Sequence, residues 1–95
     1  MLTEYEVRLR VIAIRTSKVS PVKKFRALLQ LSRALSRQAR DLGRTRSQIL
    51  DSGDRRALSV IQRLLARTQV LLDDVRSAAR ETMLSGSNHS IGLVN

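Results

Sequence analysis

Groups able to do bond chemistry are few in this chain, and their spacing is poor for it. The 95 residues include one histidine, His89, and no cysteine, which removes thiolate nucleophiles, disulfides and Cys-ligated zinc. His89 lies in a segment rich in Ser, Gly and Asn, where nothing orients it as a base or a ligand. Asp73 and Asp74 are adjacent, so on a helix they diverge by about 100° and do not share a metal or a substrate. Glu81 falls on a similar face to Asp74, yet two carboxylates without a third ligand make a poor metal site. Ser20-x-x-Lys23 has the spacing of a Ser/Lys nucleophile pair, but Ser20 stands directly before Pro21 and is explained as a helix cap. Asn88-His89-Ser90 fits the glycosylation acceptor pattern, which carries little weight without an export signal. There is no phosphate-cradling glycine loop. The expectation is a protein that is not an enzyme, with no metal site and no cofactor.

The cations are a different matter. Lys and Arg number 18 against 8 Asp and Glu, a formal net charge of +10, with a pI near 11.7. Lys23, Arg26, Arg33, Arg37, Arg40 and Arg44 follow one another at spacings of 3, 7, 4, 3 and 4, which places all six on one face of an α-helix. Residues 21–51 hold eight cations and two acids, whereas residues 54–84 hold six and four, so the charge is concentrated on this one element. Solvated helix faces usually mix signs into i,i+4 pairs; the remaining positions of this face are Gln30 and Ser47. A linear basic surface of this kind suits a polyanion better than a small substrate. Arginine, 15 of the 18 cations, binds phosphate with two parallel hydrogen bonds and stays charged when partly buried. Aromatic residues are only Tyr5 and Phe25, too few for stacking on single-stranded bases. Binding through phosphates, with little dependence on base sequence, is the expectation. Arg63 and Arg67 on the following element are candidates to extend the surface. The rival partner for the basic face is an acidic protein surface.

These residues need elements to hold them. Ser20-Pro21 opens a helix over about 21–51, with Ser as N-cap and Pro at the first helical position. Its seam is Phe25, Leu28, Ser32, Leu35, Ala39, Leu42, Arg46 and Ile49. Asp51-Ser52-Gly53-Asp54 reads as a break, Gly53 serving as a left-handed C-cap and Asp54 as the next N-cap. A second long helix over about 54–84 carries Leu58, Ile61, Leu65, Thr68, Leu72, Val75 and Ala79, flanked by Leu64, Leu71 and Ala78. A turn so short makes the two helices antiparallel. Gly43 admits two readings: a break there, with Thr45-Arg46-Ser47-Gln48 as a capping box, or a continuous helix that tolerates one glycine at about 1 kcal/mol. Continuity is favoured, and with it Arg44 stays on the basic stripe.

Residues 1–17 are also ambiguous. Tyr5, Val7, Leu9 and Val11 alternate with charged residues like a strand, while Leu2, Tyr5, Leu9 and Ile12 form a helical stripe. Helix is favoured because the rest of the chain offers no strand edge; a strand would need a second copy or a partner protein. The fold class is therefore all-α: residues 1–84 as one small domain, a long antiparallel hairpin with an N-terminal segment packing on it or on a partner. Residues 85–95 are a tail, flexible or docking on a neighbour.

Because the last helix is apolar on more than one face, Leu64, Val70 and Leu71 are candidates for an interface with a second copy or a partner, and Ile91 and Leu93 of the tail for docking. No apolar run approaches the roughly 18 residues of a membrane span, and Glu4 and Glu6 argue against a signal peptide. The expected location is the cytoplasm or a particle assembled there, as a homo-oligomer or a subunit of a larger assembly. In size and charge the chain is similar to small helical subunits of nucleoprotein machines, such as those of CRISPR effector complexes, and to minor or scaffolding proteins of virus particles. No shared motif accompanies that similarity.

Overall fold

Three helices follow one another in the computed structural model: α1 (Glu4–Thr16), α2 (Pro21–Ser52) and α3 (Arg55–Val94). The backbone of residues 1–94 and the side chains of residues 1–85 are described. The backbone of α3 thus continues through residues 85–94, where the sequence led us to expect a tail after about 84; the side chains beyond Ser85, those of Ile91 and Leu93 included, lie outside the described residues. Among the described residues there is no strand.

Each helix begins where a side chain can satisfy its first orphan N–H groups. Thr3 caps α1, its hydroxyl oxygen accepting from the Glu6 N–H at 3.2 Å, and Glu4 and Glu6 sit favourably in the positive first turn. Ser20 caps α2 by accepting from the Lys23 N–H at 3.3 Å, with Pro21 in the first turn. Asp54 caps α3 through a 3.1 Å bond from the Ala57 N–H. Between α2 and α3 stands Gly53 at φ 75°, its N–H donating to the Ile49 carbonyl at 3.0 Å. That left-handed C-cap reverses the chain within two residues, as the sequence led us to expect, and lays α3 back along α2.

The hairpin contact is the core. Leu28, Leu35 and Val75 are fully buried in it, and Leu31, Leu71, Leu72, Ala78 and Ala79 complete the cluster. α1 lies across one end of the hairpin and adds Val7, with Leu2, Val11 and Ile14 half-buried beside it. Its buried row is therefore Val7, Val11 and Ile14. Of the stripe that the sequence suggested, Leu2 is half-buried against the core, but Tyr5, Leu9 and Ile12 face outward instead, with exposures of 72%, 48% and 58%. Both rows have helical spacing, and the inward one lies over Ala27 and Ala34 of α2 and Ala78 of α3.

Polar groups within the seam are satisfied. The buried Thr68 hydroxyl donates to the Leu64 carbonyl at 2.8 Å and accepts from Gln38 Nε2 at 3.2 Å. The same Gln38 amide donates to the Leu2 carbonyl at 3.1 Å, and its oxygen accepts from the Leu2 N–H at 2.7 Å. One side chain on α2 thus fastens α3 and the start of α1 together. Arg15 of α1 also pairs with Glu81 of α3, and Lys24 Nζ donates to the Arg15 carbonyl at 3.0 Å.

The molecule is long, 62 × 20 × 15 Å with a radius of gyration of 17.1 Å, against about 12 Å for a compact chain of this length. α2 runs unbroken through Gly43, around which an added Cβ would meet nothing within 4 Å. Gly43→Ala is expected to raise stability by about 1 kcal/mol, by relieving the helix penalty of glycine. Gly53→Ala, at positive φ, is expected to lower it by about 1–2 kcal/mol. Urea unfolding of both variants checks the pair.

Candidate nucleic-acid interface

Burial of the α2 seam fixes which face of that helix meets water. Lys23, Arg26, Arg33, Arg37, Arg40 and Arg44 are all exposed, on the side away from Leu28, Leu35 and Leu42. Because α2 is continuous, the row from Lys23 to Arg44 spans about 32 Å at 1.5 Å per residue. It resolves into two parallel tracks with seven-residue spacing. Lys23, Gln30, Arg37 and Arg44 form one; Arg26, Arg33, Arg40 and Ser47 form the other. The tracks are offset by three residues, about 60° around the helix.

Neutralisation within the protein is slight. Among the described residues the ion pairs are Arg8 with Glu4 at 2.7 Å, Arg15 with Glu81, and Arg44 with Asp41 at 3.9 Å. Asp41, on the flank of the row, thus reaches one of the six cations. That contact is long and both side chains are exposed, so it contributes no more than about 1 kcal/mol and yields readily to a phosphate. Among the described residues, no carboxylate lies within 4 Å of Lys23, Arg26, Arg33, Arg37 or Arg40. Arg33, Arg37 and Arg40 converge with Gln30 and Ser36 around one shallow hollow, which supplies amide and hydroxyl donors beside three guanidinium groups.

α1 adds a residue that sequence spacing alone did not single out. Arg10 lines a second hollow with Ala13, Ile14, Ala27, Gln30 and Ala34. Gln30 borders both hollows, so Arg10 stands next to the one position of the first track that lacks a cation. Its signal was present but conditional. Arg10 is three residues from Val7 and four from Ile14, and so flanks α2 only once that row is known to be the buried one.

Other candidates are placed elsewhere. On α3, Leu71, Asp74, Ala78 and Glu81 line the groove against α1, and the same row continues backward through Arg67, Leu64 and Val60. Arg67, with Arg63 one turn before it, therefore lies on the flank that carries α1 and does not join the outer face of α2. Leu71, proposed for a partner, is 5% exposed within the three-helix core: α1 covers it. Leu64 is half-buried and Val70 exposed. Asp73 and Asp74 are both exposed, and Glu81 is engaged by Arg15. Among the described residues no three His, Cys, Asp or Glu side chains gather, and no helix is long and apolar enough to cross a membrane.

No protein family, no curated protein and no solved structure matches this chain.

Arg10→Ala is expected to lower the slope of log affinity against log salt for nucleic acid by about one, the value of one lost phosphate contact. Salt titration of the variant beside the native protein measures it.

Proposed function

We propose that this chain is a non-enzymatic helical subunit that binds nucleic-acid backbone, largely independently of sequence, within a larger nucleoprotein assembly. The observation that carries the reading is the exposed row of six cations on one continuous helix, five of them without a carboxylate partner among the described residues. Such a face is convex. It offers an array of phosphate-binding donors with about 32 Å of reach, and no enclosed pocket for a small molecule. A membrane-surface role fits less well, because an interfacial helix needs its apolar face free for lipid and that of α2 is buried on α3.

With five or six phosphates neutralised, the salt slope on duplex should be about −5, and affinity should fall by about a thousandfold between 50 and 200 mM salt. The variant carrying Arg33→Ala, Arg37→Ala and Arg40→Ala keeps the core and the helix propensity of α2 intact. It should bind unrelated sequences alike about 10- to 100-fold more weakly, at roughly 0.5–1 kcal/mol per exposed contact, with a slope about three units shallower. Fluorescence anisotropy with labelled oligonucleotides of unrelated sequence reads both quantities, and an unchanged slope in the triple variant rejects the assignment.

A second reading, a structural protein assembling through apolar helix faces, has its own observation in the outward stripe of Tyr5, Leu9 and Ile12 on α1. Single helices rarely leave such a row in water without a neighbour. On this reading, light scattering without nucleic acid shows a concentration-dependent oligomer that Leu9→Glu disperses. A monomer at every concentration removes it. The two readings are compatible, since assembly multiplies weak basic sites.

A further inference from the structure

Resting on the nucleic-acid reading above, we infer that the polyanion taken by the outer face of α2 is double-stranded. Three features of the face point the same way.

The first is its two-track layout. Lys23, Arg37 and Arg44 stand along one edge, Arg26, Arg33 and Arg40 along the other. Arg10 of α1 stands beside Gln30, where the first track lacks its own cation. Tracks about 60° apart on a helix whose side chains end about 5–6 Å from its axis stand about 5–6 Å apart, close to the roughly 6 Å between two sugar-phosphate backbones across a minor groove, so the two edges engage two strands at once. A lone strand following this face meets one edge only.

The second is straightness. The row lies on a single unbroken helix braced along its length by α3. A duplex stays straight over roughly 150 base pairs, so the row and the stretch of duplex it touches meet without either being ordered further. A single strand has to be immobilised along the row, and each ordered segment costs conformational entropy.

The third is the lack of any stacking platform to offset that cost. Base stacking on aromatic rings supplies about 1–3 kcal/mol per base where single strands are held. Phe25 packs against the core cluster, and Tyr5 is exposed on the outward side of α1, so neither is on the basic face.

Competition anisotropy with the native protein tests this: a blunt 20-base-pair duplex, as DNA and as RNA, against single strands of the same nucleotide number. At least tenfold preference for either duplex is expected. Two further variants probe the tracks, one with Lys23, Arg37 and Arg44 changed to Ala, the other with Arg26, Arg33 and Arg40 changed to Ala. Each should lower the duplex salt slope by about three, with thermal unfolding confirming that the helices are retained. Equal or tighter binding of single strands, or a duplex slope unmoved by removal of one track, overturns the double-strand inference and leaves backbone binding standing. No binding of any form at low salt overturns both.

Discussion

Leu28, Leu35 and Val75 are completely buried where α2 meets α3, and that contact sets the rotation of both helices about their axes. Exclusion of water from these side chains, at roughly 1.5–3 kcal/mol for each one fully buried, is what holds two helices together against a net charge of +10. The rest of the arrangement follows from the rotation. With Leu28, Leu35 and Leu42 of α2 turned inward, the cations two and five residues away have one direction left, outward and in line. The basic face is thus the geometric complement of the apolar seam.

α1 answers a different demand. A two-helix hairpin leaves Leu31, Leu71 and Ala78 open along one flank, and α1 closes over them with Val7, Val11 and Ile14. Where it lies is decided by Gln38, which satisfies both backbone groups of Leu2 while bonding Thr68. Such a bond adds only about 1 kcal/mol net, but leaving those groups buried and unpaired costs more, so the amide selects one position of α1 along the hairpin. Arg10 is brought beside Gln30 as a result of that registration.

The hairpin was legible in the sequence because its signals are local. Ser20-Pro21, Gly53 and Asp54 each act on the backbone of their own turn, and the α2 and α3 seams recur at heptad spacing. The direction of α1 was not legible in the same way. Tyr5, Leu9 and Ile12 make as good a stripe as Val7, Val11 and Ile14, and only the alanine-lined floor beneath distinguishes them. The same missing information hid Arg10, sent Leu71 to a supposed partner, and grouped Arg63 and Arg67 with a face they do not share. Gly43 was a matter of degree: a single glycine weakens a helix, but seam contacts on either side of it, through the buried Leu42 and the half-buried Ile49, carry the helix across.

The offset of α1 divides the molecule mechanically. From Lys23 to about Gln38, α2 is clamped by two other helices around a nine-residue core cluster. Beyond it, toward Gly53, the buried apolar side chains are Leu42 and Ile61, and segments with so few buried contacts open at lower free energy. The basic row crosses that boundary, with Lys23, Arg26, Arg33 and Arg37 on the braced part and Arg40 and Arg44 on the lighter one. Arg40 and Arg44 are therefore the first of the six cations to lose their alignment when the hairpin opens from its turn.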